Sequence, residues 1–265
     1  MPAPLAAFSP TAASTWLLPL LAALAFAALV ATGENQHAFL MLNAIGPQTS
    51  DELWVNVTIL GDTMVALALC LPLWRRRPDL LWALAIGAAF STAWVHVLKP
   101  LVEIPRPPAV LGDAVHVIGP AYRAGSFPSG HATTSFALAG LIVMGLGSRA
   151  ATLAALSFAL AATLSRSVVG VHWPLDLLAG AFGGWLSAAI GLGLARRTLA
   201  FGLQPWVQSI IGLVLAGSAV ALVAGAKTGY PQALWFERAI GVGCLALAAA
   251  LLWNDRRRRR GALKA

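Results

Sequence analysis

The sequence predicts an all-α fold, a polytopic transmembrane helix bundle, and three observations predict it. Hydrophobic residues make up 58% of the 265 positions and charged residues 11%, with a mean hydropathy of +0.76. A soluble domain carries about a quarter charged residues, so most of this chain is suited to lipid. Eight apolar runs follow one another, each near the ~20 residues that cross a bilayer as a helix. Finally, the net charge of +8 is concentrated in short basic clusters beside those runs. That is the pattern of membrane topology, not of a nucleic-acid surface.

The runs occupy residues 16–31, 54–74, 80–98, 132–146, 150–164, 177–195, 207–224 and 239–253. No Lys or Arg precedes the first, so it lacks the basic flank of a signal peptide and reads as a retained helix. Residues 35–52 mix polar and apolar positions and read as a short interfacial helix or loop. The fourth and fifth runs are short, which leaves their outer ends partly within the bilayer depth. Residues 1–195 are expected to form the core, and residues 196–265 to add two helices and a basic tail to the same bundle. Cys70 and Cys244 lie inside apolar runs and read as small buried hydrophobes, neither a disulfide framework nor a metal pair. Asn56-Val57-Thr58 fits a glycosylation sequon, a tripeptide common by chance.

Orientation follows from the basic residues. With eight spans, Arg75 to Arg77, Arg149, Arg196, Arg197, Arg256 to Arg260 and Lys264 fall on one side, twelve of the eighteen. Lys99, Arg106, Arg123, Arg166, Lys227 and Arg238 fall on the other. The positive-inside rule assigns the first side to the cytoplasm, together with both termini.

Three polar segments lie on the outer side. They are Lys99 to Pro107, Ser126-Phe127-Pro128-Ser129-Gly130-His131, and Ser165 to Asp176. Ionisable residues at membrane depth are costly and point to function. Lys99, Arg106 and Arg166 bring three cations, two of them guanidinium forks that match phosphate oxygens. Pro128-Ser129-Gly130 is a turn able to aim a hydroxyl and backbone N–H groups at an anion, at the positive end of a helix. His172 and Asp176 are four apart, and Pro174 suits the first position of a helix. Asp176 can then reach back, fix the His172 tautomer and stabilise charge on the ring. His131 remains as a second imidazole able to protonate a leaving oxygen.

These motifs resemble, one by one, those of the type-2 phosphatidic acid phosphatase superfamily. That signature is a lysine, six residues and Arg-Pro; then Pro-Ser-Gly-His; then Ser-Arg, five residues, His, three residues and Asp. Lys99 with Arg106-Pro107, Pro128 to His131, and Ser165-Arg166 with His172 and Asp176 fit without departure, over under a third of the chain. The resemblance implies a six-helix phosphatase core made by the first six runs, with about two extra C-terminal helices. It implies that His172 is the nucleophile, Asp176 its orienting partner and His131 the general acid and base. Lys99, Arg106, Ser129, Gly130 and Arg166 would bind the substrate phosphate, with no metal and no cofactor. The superfamily's soluble haloperoxidase branch is a poor match to so apolar a chain.

The expected activity is hydrolysis of a lipid phosphomonoester or pyrophosphate through a phosphohistidine, in a bacterial inner membrane with the site facing outward. Fifteen Arg against three Lys, and abundant Ala, suggest the G- and C-rich bacterial genome behind that placement. Undecaprenyl pyrophosphate, phosphatidylglycerol phosphate, phosphatidic acid and lipid A all suit such a site. The partners are a membrane lipid and the bilayer, not nucleic acid; oligomeric state is unreadable. A lipid phosphotransferase would use the same residues. A metal hydrolase on His131, His172 and Asp176 would place its ion among three cations. A serine protease at Ser129 leaves those cations without a purpose. A transporter would carry its charges at the midplane, not at one face. Among flanking residues, His96 could line the pocket and Asp62 could border an entry groove. Asp113, His116 and Arg123 could touch a head group, and Glu103 reads as structural.

Overall fold

The computed structural model describes residues 8–9, 11–226 and 228–262; Lys227, Lys264 and the first seven residues lie outside them. Among the described residues the secondary structure is helical. The α-helices are α1 (Ala13–Thr32), α2 (Asn35–Asn43), α3 (Ile45–Gln48), α4 (Asp51–Ile59), α5 (Thr63–Cys70), α6 (Pro78–Val102), α7 (Pro107–Leu111), α8 (Gly130–Leu146), α9 (Arg149–Val168), α10 (Pro174–Arg197), α11 (Leu199–Gly202), α12 (Pro205–Ala224) and α13 (Leu234–Ala262). Six helical stretches are long and apolar enough to cross a membrane, and the α4–α5 pair makes a seventh if counted as one span. α8, with 17 residues, is a shorter apolar helix. All eight apolar runs are therefore helical, and the chain is a membrane protein. The 35–52 segment forms α2, α3 and the start of α4.

One run differs from its expectation. Residues 54–74 are not a continuous helix, because α4 and α5 meet at a 62° bend. The cause is Gly61-Asp62. Asp62 leaves the helical conformation and its carboxylate accepts the Met64 N–H at 2.7 Å, making it the N-cap of α5.

α10 is the axis of the bundle, flanked by α8, α6 and α1. Apolar tails solvate helices as well as side chains do, so close packing rather than water exclusion joins helices in lipid. Small residues on α10 make that approach possible. A Cβ at Gly184 would stand 2.2 Å from the Thr133 carbonyl oxygen on α8, and one at Gly191 would stand 2.5 Å from that of Ala83 on α6. The outward faces carry lipid-suited side chains, such as Leu213 at 72% exposure. α12 and α13 pack on α5 through Val65, Ala68, Leu215, Ala219, Leu222 and Cys244.

The bundle has two chemically distinct ends. At one, Arg76 pairs with Asp255 at 3.3 Å, and Arg77 with Asp79 at 2.8 Å. At the other, the C-termini of α6 and α9 meet the N-termini of α8 and α10. All three polar motifs are at this second end.

Candidate active site

Beyond α6 the chain doubles back, and two backbone bonds zip it together: Arg106 N–H to Arg123 O and Ser126 N–H to Ile104 O, both 2.9 Å. The carbonyls of the returning strand face the first two cations. Lys99 Nζ donates to Gly125 O at 2.9 Å. Arg106 donates from Nε to Ala124 O at 2.9 Å, from Nη2 to Gly125 O at 3.2 Å, and from Nη1 to Val171 O at 3.2 Å. Two of its five N–H groups remain, one on each Nη. Arg106 is only 9% exposed.

The third motif is shaped by the turn after α9. Val171 N–H and His172 N–H both donate to Arg166 O, at 3.0 and 3.2 Å. Gly170 has φ +82°, and a Cβ there would lie 2.6 Å from the His116 carbonyl oxygen, so only glycine fits. Asn43 braces the turn from α2, donating to His116 O at 2.8 Å and Val168 O at 2.9 Å.

Asp176 joins the motifs. Its Oδ2 accepts from Ser126 Oγ at 2.5 Å, from Trp173 N–H at 2.8 Å and from His172 Nδ1 at 3.2 Å. Its backbone carbonyl accepts the Ser129 N–H at 3.1 Å. His172 is 2% exposed. Burial first, then the cations of Arg106, Arg166 and Lys99, hold its imidazole well below the ordinary histidine pKa. The ring is therefore neutral at neutral pH. With Nδ1–H given to the carboxylate, the lone pair is on Nε2.

Arg166, 3% exposed, donates from Nη1 to Thr58 Oγ1 at 2.7 Å and to Tyr230 Oη at 3.0 Å. Its buried Nε has no hydrogen-bond partner among the described residues. Among the described residues, no carboxylate pairs with Lys99, Arg106 or Arg166 within ion-pair distance. The cluster they form around His172 and Asp176 is net positive.

Ser129 is the N-cap of α8, its Oγ accepting Ala132 N–H at 3.4 Å, and Gly130 opens that helix. His131, next along, lies within electrostatic range of Arg166, His172, Arg106 and Lys99. Its side chain lines a cavity of about 210 Å³ between α5, α6 and α8, together with Asp62, His96, Leu84 and Leu138. So His96 and Asp62 border a groove that reaches His131. His116 pairs with Asp51 at 2.9 Å, while Asp113 and Arg123 are exposed. Glu103 ends α6 at φ +41°.

Thr58, Tyr230, Asn43 and the role of Ser126 escape sequence reasoning. Thr58 and Asn43 sit in stretches that read as apolar span and interfacial loop. Ser126 is adjacent to a motif, which is a usable signal. Tyr230 is one of only two tyrosines, flanked by Gly229 and Pro231.

Fold and site define a helical membrane protein with three cations grouped around a buried His–Asp pair. Residues 78–200 match the PAP2 superfamily, and this stretch, which holds all three motifs, is a PAP2 superfamily domain. The chain is similar to the lipid A 4'-phosphatase of Bacteroides thetaiotaomicron, 34% identical over 124 residues, covering 43% of this chain and 55% of that one. It is also similar to the lipid A 1-phosphatase of Rhizobium etli, 42% identical over 82 residues, covering 30% of this chain and 34% of that one. It thus spans about half and a third of these relatives. The crystal structure of Aquifex aeolicus LpxE superposes with a TM-score of 0.56 and 27% identity, covering 60% of this chain and 94% of that one.

Proposed function

We propose that this protein is an integral-membrane lipid phosphatase that removes a head-group phosphate through a phosphohistidine on His172. One observation carries the reading: a buried, neutral imidazole is oriented by a carboxylate among three cations that have no acid partner among the described residues. Phosphoryl transfer needs positioning and charge stabilisation above all, and this site offers both.

In the first step Nε2 of His172 attacks phosphorus and the bond to the lipid oxygen breaks. His131 gives that oxygen its proton. Asp176 stabilises the charge the His172 ring acquires. In the second step water attacks the phosphohistidine, the P–N bond breaks, and His131 takes the water's proton as phosphate leaves. Lys99, Arg106, Arg166 and the start of α8, at Ser129 and Gly130, hold the phosphate oxygens.

The relatives' names favour lipid A among the candidate lipids, over undecaprenyl pyrophosphate, phosphatidylglycerol phosphate and phosphatidic acid. The groove that reaches His131 is lined by polar residues such as Asp62 and His96 and by apolar ones such as Leu84 and Leu138, which suits a lipid that keeps its chains in the bilayer. The protein would lie in the cytoplasmic membrane with the site outward, since the site end is opposite the Arg76–Asp255 end.

The test is phosphate release by the purified protein over these lipids in detergent with EDTA present. Release from lipid A at a rate above the others is expected. No release from any of them, or release that requires added zinc or magnesium, would overturn the proposal.

A further inference from the structure

The chain has two tyrosines, and each stands against an arginine of the site. The Tyr122 ring lies 5.1 Å from Arg106 Cζ, and the Tyr230 ring 5.9 Å from Arg166 Cζ. Tyr122 belongs to the stretch that matches the PAP2 superfamily. Tyr230 lies beyond it, in the loop that links α12 to α13.

Tyr230 is built into place. It is 3% exposed and packs with Ile59, Ile118, Val169 and Val171. Gly119, at φ +86°, leaves room for the ring; a Cβ there would stand 2.5 Å from it. The loop is tied down by a hydrogen bond between Thr228 Oγ1 and Glu237 Oε1, and by Ala233 N–H to Tyr230 O at 3.0 Å.

Among the described residues the hydroxyl makes one hydrogen bond to protein, and it is specific. Tyr230 Oη and Thr58 Oγ1 accept from the same nitrogen, Nη1 of Arg166, at 3.0 and 2.7 Å. Both N–H groups of Nη1 are then engaged. Nε is buried without a partner, and Nη2 donates to no protein atom among the described residues. The Nε–Nη2 edge can meet two oxygens of one phosphate in parallel. Two neutral acceptors fix the guanidinium while leaving its charge intact. A carboxylate in their place would compete with the phosphate for that charge.

We propose that Tyr230 is a positioning residue supplied by the C-terminal segment: with Thr58 it holds Nη1 of Arg166 so that Nε and Nη2 face the phosphoryl group. This rests on the phosphatase reading above. It gives α12 and α13, which lie outside the PAP2 domain, a part in the chemistry, since they carry the loop that delivers the hydroxyl.

The test uses the purified full-length protein in detergent, with two readouts: orthovanadate binding by calorimetry, and phosphate release from micellar phosphatidic acid and lipid A. Tyr230→Phe keeps the ring and removes the hydroxyl. It should weaken orthovanadate binding about tenfold and lower kcat about tenfold, as expected for a lost bond to a charged group. KM should stay within about twofold, because the lipid chains bind elsewhere. Thr58→Val should act alike, and the double variant should lose less than the product of the two, because they share one nitrogen. If Tyr230→Phe fails to fold, Thr58→Val carries the test. Wild-type kcat and orthovanadate affinity in the folded variant would overturn the proposal, as would a loss confined to KM. If the wild type binds orthovanadate but releases no phosphate, the phosphatase reading falls. The tether is then decided by affinity alone: a tenfold loss on the order expected for such a bond supports it, and no loss overturns it. A wild type that does neither overturns both.

Discussion

The Nδ1 of His172 and the Oδ2 of Asp176 are 3.2 Å apart, yet no helical turn sets their spacing. His172 precedes α10, whose first residue is Pro174. Asp176 is in the first turn, and the Oδ2 that meets the ring also accepts the Trp173 N–H. The carboxylate therefore both caps its own helix and orients the imidazole that enters it. A side chain that does both is fixed before any substrate arrives, so its orientation costs little at the reacting step.

The third bond to that oxygen is from Ser126 Oγ. Ser126→Ala should leave Asp176 with two donors and a freer rotamer. kcat is expected to fall about tenfold with KM little changed, in keeping with a lost bond to a charged group. Steady-state phosphate release checks this. An unchanged kcat would mean that the other two bonds are enough to hold the carboxylate.

Acid should spare the His172 ring longer than a free histidine. Burial and the cations of Arg106, Arg166 and Lys99 lower its pKa. The nucleophile then stays unprotonated as pH falls through about 6.5. The acid limb of kcat/KM attributable to this ring should lie below that value. Stability follows the same sign. Between the lowered pKa and about 6.5 the unfolded chain binds more protons than the folded one. The stability this ring contributes is complete above that window and is lost as pH falls through it. A pH–rate profile and thermal melts across that range check both, and a first acid limb near or above pH 7 would contradict the assignment.

Orientation is open to labelling. Asp113 and Ala150 are both exposed and lie on opposite sides of the proposed topology. Single cysteines at 113 and 150 go into a background without Cys70 and Cys244, both buried. An impermeant thiol reagent on intact cells, with any outer membrane permeabilised, should label position 113 and spare 150. The reverse pattern would invert the topology.

Much of this is legible in the sequence, and what is not has a physical cause. Apolar run length gives the helices because lipid leaves the backbone no other partner. The motifs give Lys99, Arg106, Arg166, His131, His172 and Asp176 because ionisable groups at that depth are too costly to keep without a task. The bend at Gly61-Asp62 escapes because run length ignores a capping carboxylate. Thr58 and Tyr230 escape because a neutral hydroxyl, in an apolar run or in a Gly- and Pro-flanked loop, gives no signal until folding brings it to an arginine. Arg106 reads as a free fork in the sequence, but three of its N–H groups hold backbone carbonyls, so it also shapes the loop that carries the second motif.

The central claim is that His172 carries the phosphoryl group, and a trapped intermediate tests it most directly. The protein is mixed with a lipid substrate labelled on phosphorus, quenched in alkali within milliseconds to seconds, digested and sequenced by mass spectrometry. His131→Ala should raise the trapped fraction if the step served by His131 as base is slowed more than phosphoryl transfer to His172. Asp176→Asn should lower the rate of phosphate release by ~10³ to 10⁴ if it acts as the orienting carboxylate of a triad does. The account predicts an alkali-stable, acid-labile phosphate on the peptide bearing His172, and none in His172→Ala. Phosphate on Ser129, or wild-type phosphate release by His172→Ala, would contradict it.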